Sequence, residues 1–272
     1  MFMMRNIVLS VLLFFGVSCA NEQNDPSQKA RALLKQGKEN LKRISSKATL
    51  VIKPNPKIET YTRIYNKWNP SGTNDQRIET YSGKIDASSS ASVVSIQIKN
   101  SGGDFYIFGN MAIKSPESLT PLPKDIEKYE QGENATYYMA DGFHGGIPCY
   151  IITKKIQADD ERYKSFIRLM PNFMKNNKTP EELKELFRSQ FPSTVISYIG
   201  KNDGFIYEYT HYNVNGKQTI SFEYRDVELN MPLDDNLFKV PENCTVIKPK
   251  NNDEFNKIVS ELSNKGSKSP QK

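Results

Sequence analysis

Residues 204–240 read GFIYEYTHYNVNGKQTISFEYRDVELNMPLDDNLFKV, and their periodicity decides the fold. Phe205, Tyr207, Tyr209 and His211 alternate with Ile206, Glu208, Thr210 and Tyr212; Asn215 and Gly216 then interrupt, and alternation resumes through Ile220, Phe222 and Tyr224. Period two on both sides of an Asn-Gly pair predicts an antiparallel hairpin, because the tight turn needs residues that tolerate positive φ. Beyond it, Pro232 with Asp234, Asp235 and Asn236 breaks the sheet before an apolar anchor at Leu237 and Phe238.

Upstream, strands are expected at 50–53, 58–68, 76–84, 93–100, 104–110, 136–140, 148–154 and 194–199. Val94, Ile96 and Ile98 alternate with Ser95 and Gln97, giving one dry and one wet face. Gly102 and Gly103 supply the turn into Phe105 and Ile107, and Asp141 to Gly146 supply another. The segment 240–247 supplies an edge strand. Pro116, Pro121 and Pro123 exclude a continuous strand, and a short helix can start at Pro123.

Helical spacing appears in four places. Ala30, Leu33, Leu34, Leu41 and Ile44 form one stripe from Ser27 to Ser45, which needs a sheet to bury it. Tyr163, Phe166, Ile167 and Met170 form a second, ended by Pro171, with Phe173 and Met174 following. Thr179, Pro180 and Glu182 make a capping box ahead of Leu183, Leu186 and Phe187. Phe255, Ile258, Val259 and Leu262 suggest a final turn or two of helix before a polar tail of disordered composition.

The domain is therefore expected at 27–247, preceded by a leader at 1–18 and a tether at 19–26, and followed by a short helix and tail at 248–272. In the leader, one charge at Arg5 precedes an apolar run from Ile7 to Val17, too short to span a bilayer and suited to a secretory signal. The run ends on Val17, Ser18 and Cys19, which resembles a bacterial lipoprotein signal and implies acylation, for instance with palmitate, at Cys19. Gly16 departs from the aliphatic residue usual there, and Ser18 with Ala20 also fits ordinary cleavage after Ala20. Ala20 after the cysteine resembles the sorting pattern for an outer membrane facing the periplasm.

The formal charge is +6 with basic residues dispersed among acidic ones, which argues against nucleic acid as a partner. With Cys19 at the junction of leader and tether, Cys149 and Cys244 are left either to pair as a disulfide or to stand as separate, partly buried thiols. The only histidines, His144 and His211, lack metal-ligand spacing, and no nucleophile elbow, phosphate loop or dinucleotide fingerprint occurs, so no catalytic residue, metal or cofactor is nominated.

What remains is apolar and aromatic content on many strands: Ile96, Ile98, Phe105, Ile107, Tyr207, Tyr209, Phe222 and Tyr224. These residues either fill a core or line a cavity for a lipid-like guest. Taken in order, one helix, a meander, interrupting helices and a hairpin closing on FEYRDVELNMPLDDNLFKVPENC resemble the bacterial lipoprotein-carrier superfamily, the LolA/LolB-like fold. Its last strands carry the run Y-x-D-V/I-x-x-N-x-x-L/I-x-x-x-x-F-x-x-P, matched here by Tyr224, Asp226, Val227, Asn230, Leu233, Phe238 and Pro241. The resemblance implies an α+β fold: a curved antiparallel half-open β-barrel with helices covering the concave face. It further implies a non-enzymatic protein that binds an acyl chain or another apolar ligand at the eight residues named above, or else an envelope protein partner. An anchor at Cys19 is closer to the membrane-bound acceptor of that superfamily than to its soluble carrier.

Overall fold

A computed structural model describes residues 26–55, 57–85, 91–116, 135–169 and 178–266. The strands form two meanders. The first is β1 (Ser46–Asn55), β2 (Ile58–Trp68), β3 (Asn74–Tyr81), β4 (Val93–Asn100), β5 (Gly103–Phe108) and β6 (Met111–Lys114). The second is β7 (Ala135–His144), β8 (Ile147–Ile156), β9 (Thr194–Gly200), β10 (Ile206–Tyr212) and β11 (Gln218–Leu229). They meet where β11 pairs antiparallel with β1, and β12 (Thr245–Ile247) adds to β6 in parallel. One twelve-stranded sheet results, in the order β12-β6-β5-β4-β3-β2-β1-β11-β10-β9-β8-β7. Its two end strands do not pair with each other, so the described residues form an open, mostly antiparallel sheet with few helices, as the resemblance implied.

Helix α1 (Pro26–Arg43) forms because its apolar stripe finds the sheet. Ala30 is fully buried in a cluster with Ile152, Ile199 and Ile206, against which Leu33, Leu34 and Leu41 pack. At its far end the Asn66 side chain donates to the Leu41 carbonyl at 2.7 Å, satisfying one of the acceptors a helix C-terminus leaves open. Helices α2 (Asp160–Leu169) and α3 (Pro180–Gln190) join through rings: Phe187 lies 5.6 Å from Tyr163, 5.3 Å from Phe166 and 4.8 Å from Phe191, centroid to centroid. The capping box forms as expected, with Thr179 Oγ1 accepting from Glu182 N at 3.2 Å and Glu182 Oε2 accepting from Thr179 N at 2.6 Å.

Three features differ from the sequence reading. Helix α4 (Asn252–Gly266) is a full helix whose Phe255, Val259 and Leu262 pack on Ile113, so it belongs to the domain core. Strand β6 was not expected; only four residues long, it gives too little alternation to read. The β10–β11 turn spans Asn213 to Lys217, where Asn213 Oδ1 accepts from the amides of Asn215 and Lys217 at 3.0 and 2.9 Å, and Gly216 takes φ +71°. The helix expected at Pro123, the residues around Pro171 to Met174, the leader, Cys19 and the end of the tail lie outside the described residues.

Candidate functional site

Side chains alternate along a strand, so register across the sheet tells which residues share a face. Tyr209 opposes Phe222, Phe222 opposes Ile52, and Ile52 opposes Thr60. Two and four residues on, Thr62 opposes Thr80 and Ile64 opposes Ile78, which in turn opposes Gln97. Gln97 therefore shares the face of Phe222, and Ile96 and Ile98 point to the other. The eight candidate residues accordingly fall into two groups.

The first group lies in one cluster, where Tyr207, Phe222 and Tyr224 join Leu50, Ile52, Cys149 and Phe205 in burial. Tyr209, Leu41, Ile64 and Ile220 pack against it and keep part of their surface accessible. Tyr209 stacks on Phe222 with centroids 4.5 Å apart, and Phe205 meets both Tyr207 and Tyr224 edge-on. A register shift between Ile206 and Glu208 turns Tyr207 away from Tyr209, so that its hydroxyl donates to Asp203 at 2.7 Å and its ring faces His144. Burial pushes the Tyr209 and Tyr224 hydroxyls above the ordinary tyrosine range. It also drives His211, which sits beside Tyr209, down to about 4, helped by the positive charges of Lys154 and Lys38. The side of the sheet that carries Tyr209, Phe222 and Tyr224 is thus apolar beneath α1, and Tyr207 is turned away from it.

The second group is a separate cluster on the opposite face. Ile98 opposes Phe105 and Ile96 opposes Ile107, and Ile98, Ile107 and Ala112 form a buried core against Val240 and Cys244. The chain after β11 crosses this face. Its 3-10 turn (Asp235–Phe238) is held by Arg77 donating to the Leu237 carbonyl at 3.1 Å and Asn100 donating to the Phe238 carbonyl at 2.7 Å. These four residues therefore support the terminal run. Leu50, Ile52 and Ile64 are members of the first cluster that the strand patterns did not single out; the alternation of Leu50 and Ile52 with Thr49, Val51 and Lys53 is the available signal.

Between the apolar clusters the outer face carries paired charge. Glu223, on the face opposite Phe222, accepts from Arg225 at 2.7 Å and from Lys53 at 3.2 Å. The Arg225 hydrogen bonds, against the opposing effect of burial, hold its carboxyl at about 2. His144 Nδ1 lies 3.3 Å from Glu208. Among the described residues no group of three His, Cys, Asp or Glu side chains could hold a metal ion. A recess of about 340 Å³ is lined by Thr73, Asn74, Asp75, Lys99, Asn100 and Ser101, and shares no residue with either apolar cluster. The disulfide considered for Cys149 and Cys244 is not formed. Both are free, Cys149 buried on β8 in the first cluster and Cys244 beside the second, near the opposite end of the strand order. Burial raises the Cys149 thiol above its usual range.

No protein-family model matches this chain, and no curated protein sequence does. Solved structures do. An uncharacterized conserved protein from Thermus thermophilus aligns at 13% identity over 82% of this chain and 100% of its own, with a TM-score of 0.47. A chain of the MucA/MucB complex of Pseudomonas aeruginosa aligns at 12% identity over 80% of this chain, which spans 63% of that one, with a TM-score of 0.48. A LolA superfamily protein from Nitrosomonas europaea aligns at 10% identity over 78% of this chain and 97% of its own, with a TM-score of 0.27. These likenesses concern fold and assign no activity.

Proposed function

We propose that this chain is a non-enzymatic, lipid-anchored protein of the bacterial envelope, held at the outer membrane through Cys19 and facing the periplasm, that binds an acyl chain or similar apolar ligand beneath α1. The observation that carries this reading is that Leu41, Ile64, Tyr209 and Ile220 border the first cluster. All four keep accessible surface while packed around a floor of buried Leu50, Ile52, Phe222 and Tyr224. Apolar side chains in such a setting gain from an apolar guest that displaces their water. In this reading Tyr207 borders the site and Ile96, Ile98, Phe105 and Ile107 back the sheet from the other face.

Uptake of a fluorescent fatty acid tests it. Ile220→Glu places a carboxylate at the border of this cluster and is expected to weaken uptake at least about tenfold, whereas Ile96→Glu on the opposite face leaves it unchanged. Equal uptake by both variants rules this face out. Radiolabelled palmitate separately tests the anchor: wild type incorporates it and Cys19→Ala does not.

A second reading, an envelope scaffold or sensor that binds a protein partner, is favoured by the burial of Leu50, Ile52, Phe222 and Tyr224 to below one tenth of their surface. Native mass spectrometry separates the two. A co-purifying fatty acid or phospholipid supports the ligand binder, and ligand-free preparations that take up no fatty acid support the scaffold.

A further inference from the structure

The chain enters the domain at one end of the sheet. Lys29 and Arg31, in the first turns of α1, reach β8 and β7: Lys29 Nζ lies 5.6 Å from the Tyr150 ring centroid, and the Arg31 guanidinium lies 4.8 Å from that of Tyr137. The Arg31 side chain also donates to the Ala135 carbonyl at 3.3 Å, at the start of β7. Further cations meet the same rings and their neighbour: Lys154 lies 5.9 Å from the Tyr137 ring, Lys155 5.3 Å from Tyr138 and Lys201 5.1 Å from Tyr150. Asp141 pairs with Lys201 at 2.7 Å. Cross-strand register puts Lys154 and Tyr137 on one face of the edge and Lys155 and Tyr138 on the other, so both faces carry a cation over a tyrosine.

Among the described residues β7 is also the last strand in the sheet order. Two of the large apolar side chains that stand most in solvent are on it, Tyr138 at 52% exposure and Phe143 at 70%. An amphipathic ring beside a long cationic side chain is the pairing that settles at a membrane interface, where the ring enters the headgroup layer and the charge stays among phosphates. The outward backbone N–H groups of an edge strand need acceptors, and phosphate oxygens supply them. Cys19 lies seven residues before Pro26, a stretch that extends at most about 25 Å. An acyl group on Cys19 would therefore keep this edge within a short reach of the bilayer.

We propose that the β7 edge and the start of α1 form a membrane-docking surface for anionic phospholipid headgroups, which orients the domain on the bilayer to which Cys19 attaches it. The proposal rests on the reading of Cys19 as the anchor for its orientation, while its charge and ring chemistry act without the anchor. The test uses the chain from Cys19 to Lys272, produced without its leader and so without acyl groups, in sedimentation with vesicles of phosphatidylcholine alone or mixed with phosphatidylglycerol.

Binding to the mixed vesicles is expected, falling with added salt, each cation being worth about fivefold near an anionic surface. Lys29→Glu with Lys155→Glu, both at exposed positions, is expected to weaken it at least about tenfold. Lys248→Glu with Lys250→Glu, also exposed and near the other end of the sheet, leaves it unchanged. Equal binding to both vesicle types, absence of binding at low salt, or an equal loss in the two double variants overturns the proposal. Fatty-acid uptake without vesicles is retained by Lys29→Glu with Lys155→Glu. Loss of docking, loss of ligand binding and loss of palmitate labelling are thus read separately.

Discussion

Asp226 and Asn230 are the two non-glycine residues described with positive φ, 51° and 57°. Asp226 sits where β11 gains a residue against β1 between Lys47 and Thr49, and the Asn230 amide donates to the Ser45 carbonyl at 2.7 Å as the strand ends. Asp and Asn tolerate the left-handed region better than other side chains. The polar positions of the terminal run that resembles the LolA/LolB-like superfamily thus serve backbone geometry here. The sequence displayed them plainly as letters, but their role depends on a bulge that only pairing with β1 creates.

His211 gives the residue scale a measurable consequence. In the fold it stays neutral down to about pH 4, whereas the unfolded chain takes up that proton near 6.5. Between these values the unfolded state binds more protons, so stability falls as pH is lowered from 6.5 and the loss is complete near 4. Between pH 7 and pH 5 this group should cost about 2 kcal/mol, and His211→Phe should remove that part of the slope. Urea midpoints at the two pH values check it; parallel slopes in wild type and variant refute the assignment.

At the scale of elements, the contact of α1 with β10 is set by Gly37. A Cβ there would meet Ile206 Cγ1 at 2.9 Å and the Gly204 carbonyl oxygen at 3.2 Å. Alanine ordinarily favours a helix interior over glycine by about 1 kcal/mol. Here the gain is outweighed, because neither the Ile206 Cγ1 atom nor the Gly204 carbonyl can retreat without shifting β10. Gly37→Ala should therefore destabilise by roughly 1–2 kcal/mol, read as a lower thermal midpoint. A rise in the midpoint would show that α1 rides higher on the sheet.

Much at this scale was legible in the sequence: the long hairpin, the capping box at Thr179 and the stripe of α1. The division of the candidate residues between two faces was not. It depends on register carried from β10 through β11, β1, β2 and β3 to β4, and on the shift that redirects Tyr207. Each of those pairings is fixed by contacts remote in sequence, which alternation within one strand cannot report.

For the whole molecule, α4 and β12 finish the first meander instead of trailing from it. Phe255 is 3% exposed and meets Tyr106 edge-on with centroids 5.2 Å apart. Phe255→Ala should cost about 3–5 kcal/mol in a cooperative urea transition, as emptied aromatic sites do. A transition unchanged from wild type would mean that α4 adds nothing to the core.

β1 is made early in synthesis and is claimed on one side at once by β2, yet its other side is completed only by β11, which lies some 170 residues later. Until that segment emerges, the nascent chain displays a bare hydrogen-bonding border flanked by Leu50 and Ile52. Such a border invites pairing between molecules. Chains cut short before Gln218 should therefore accumulate as aggregates, and a chaperone that shields β1 until β11 is made would govern the yield of folded protein.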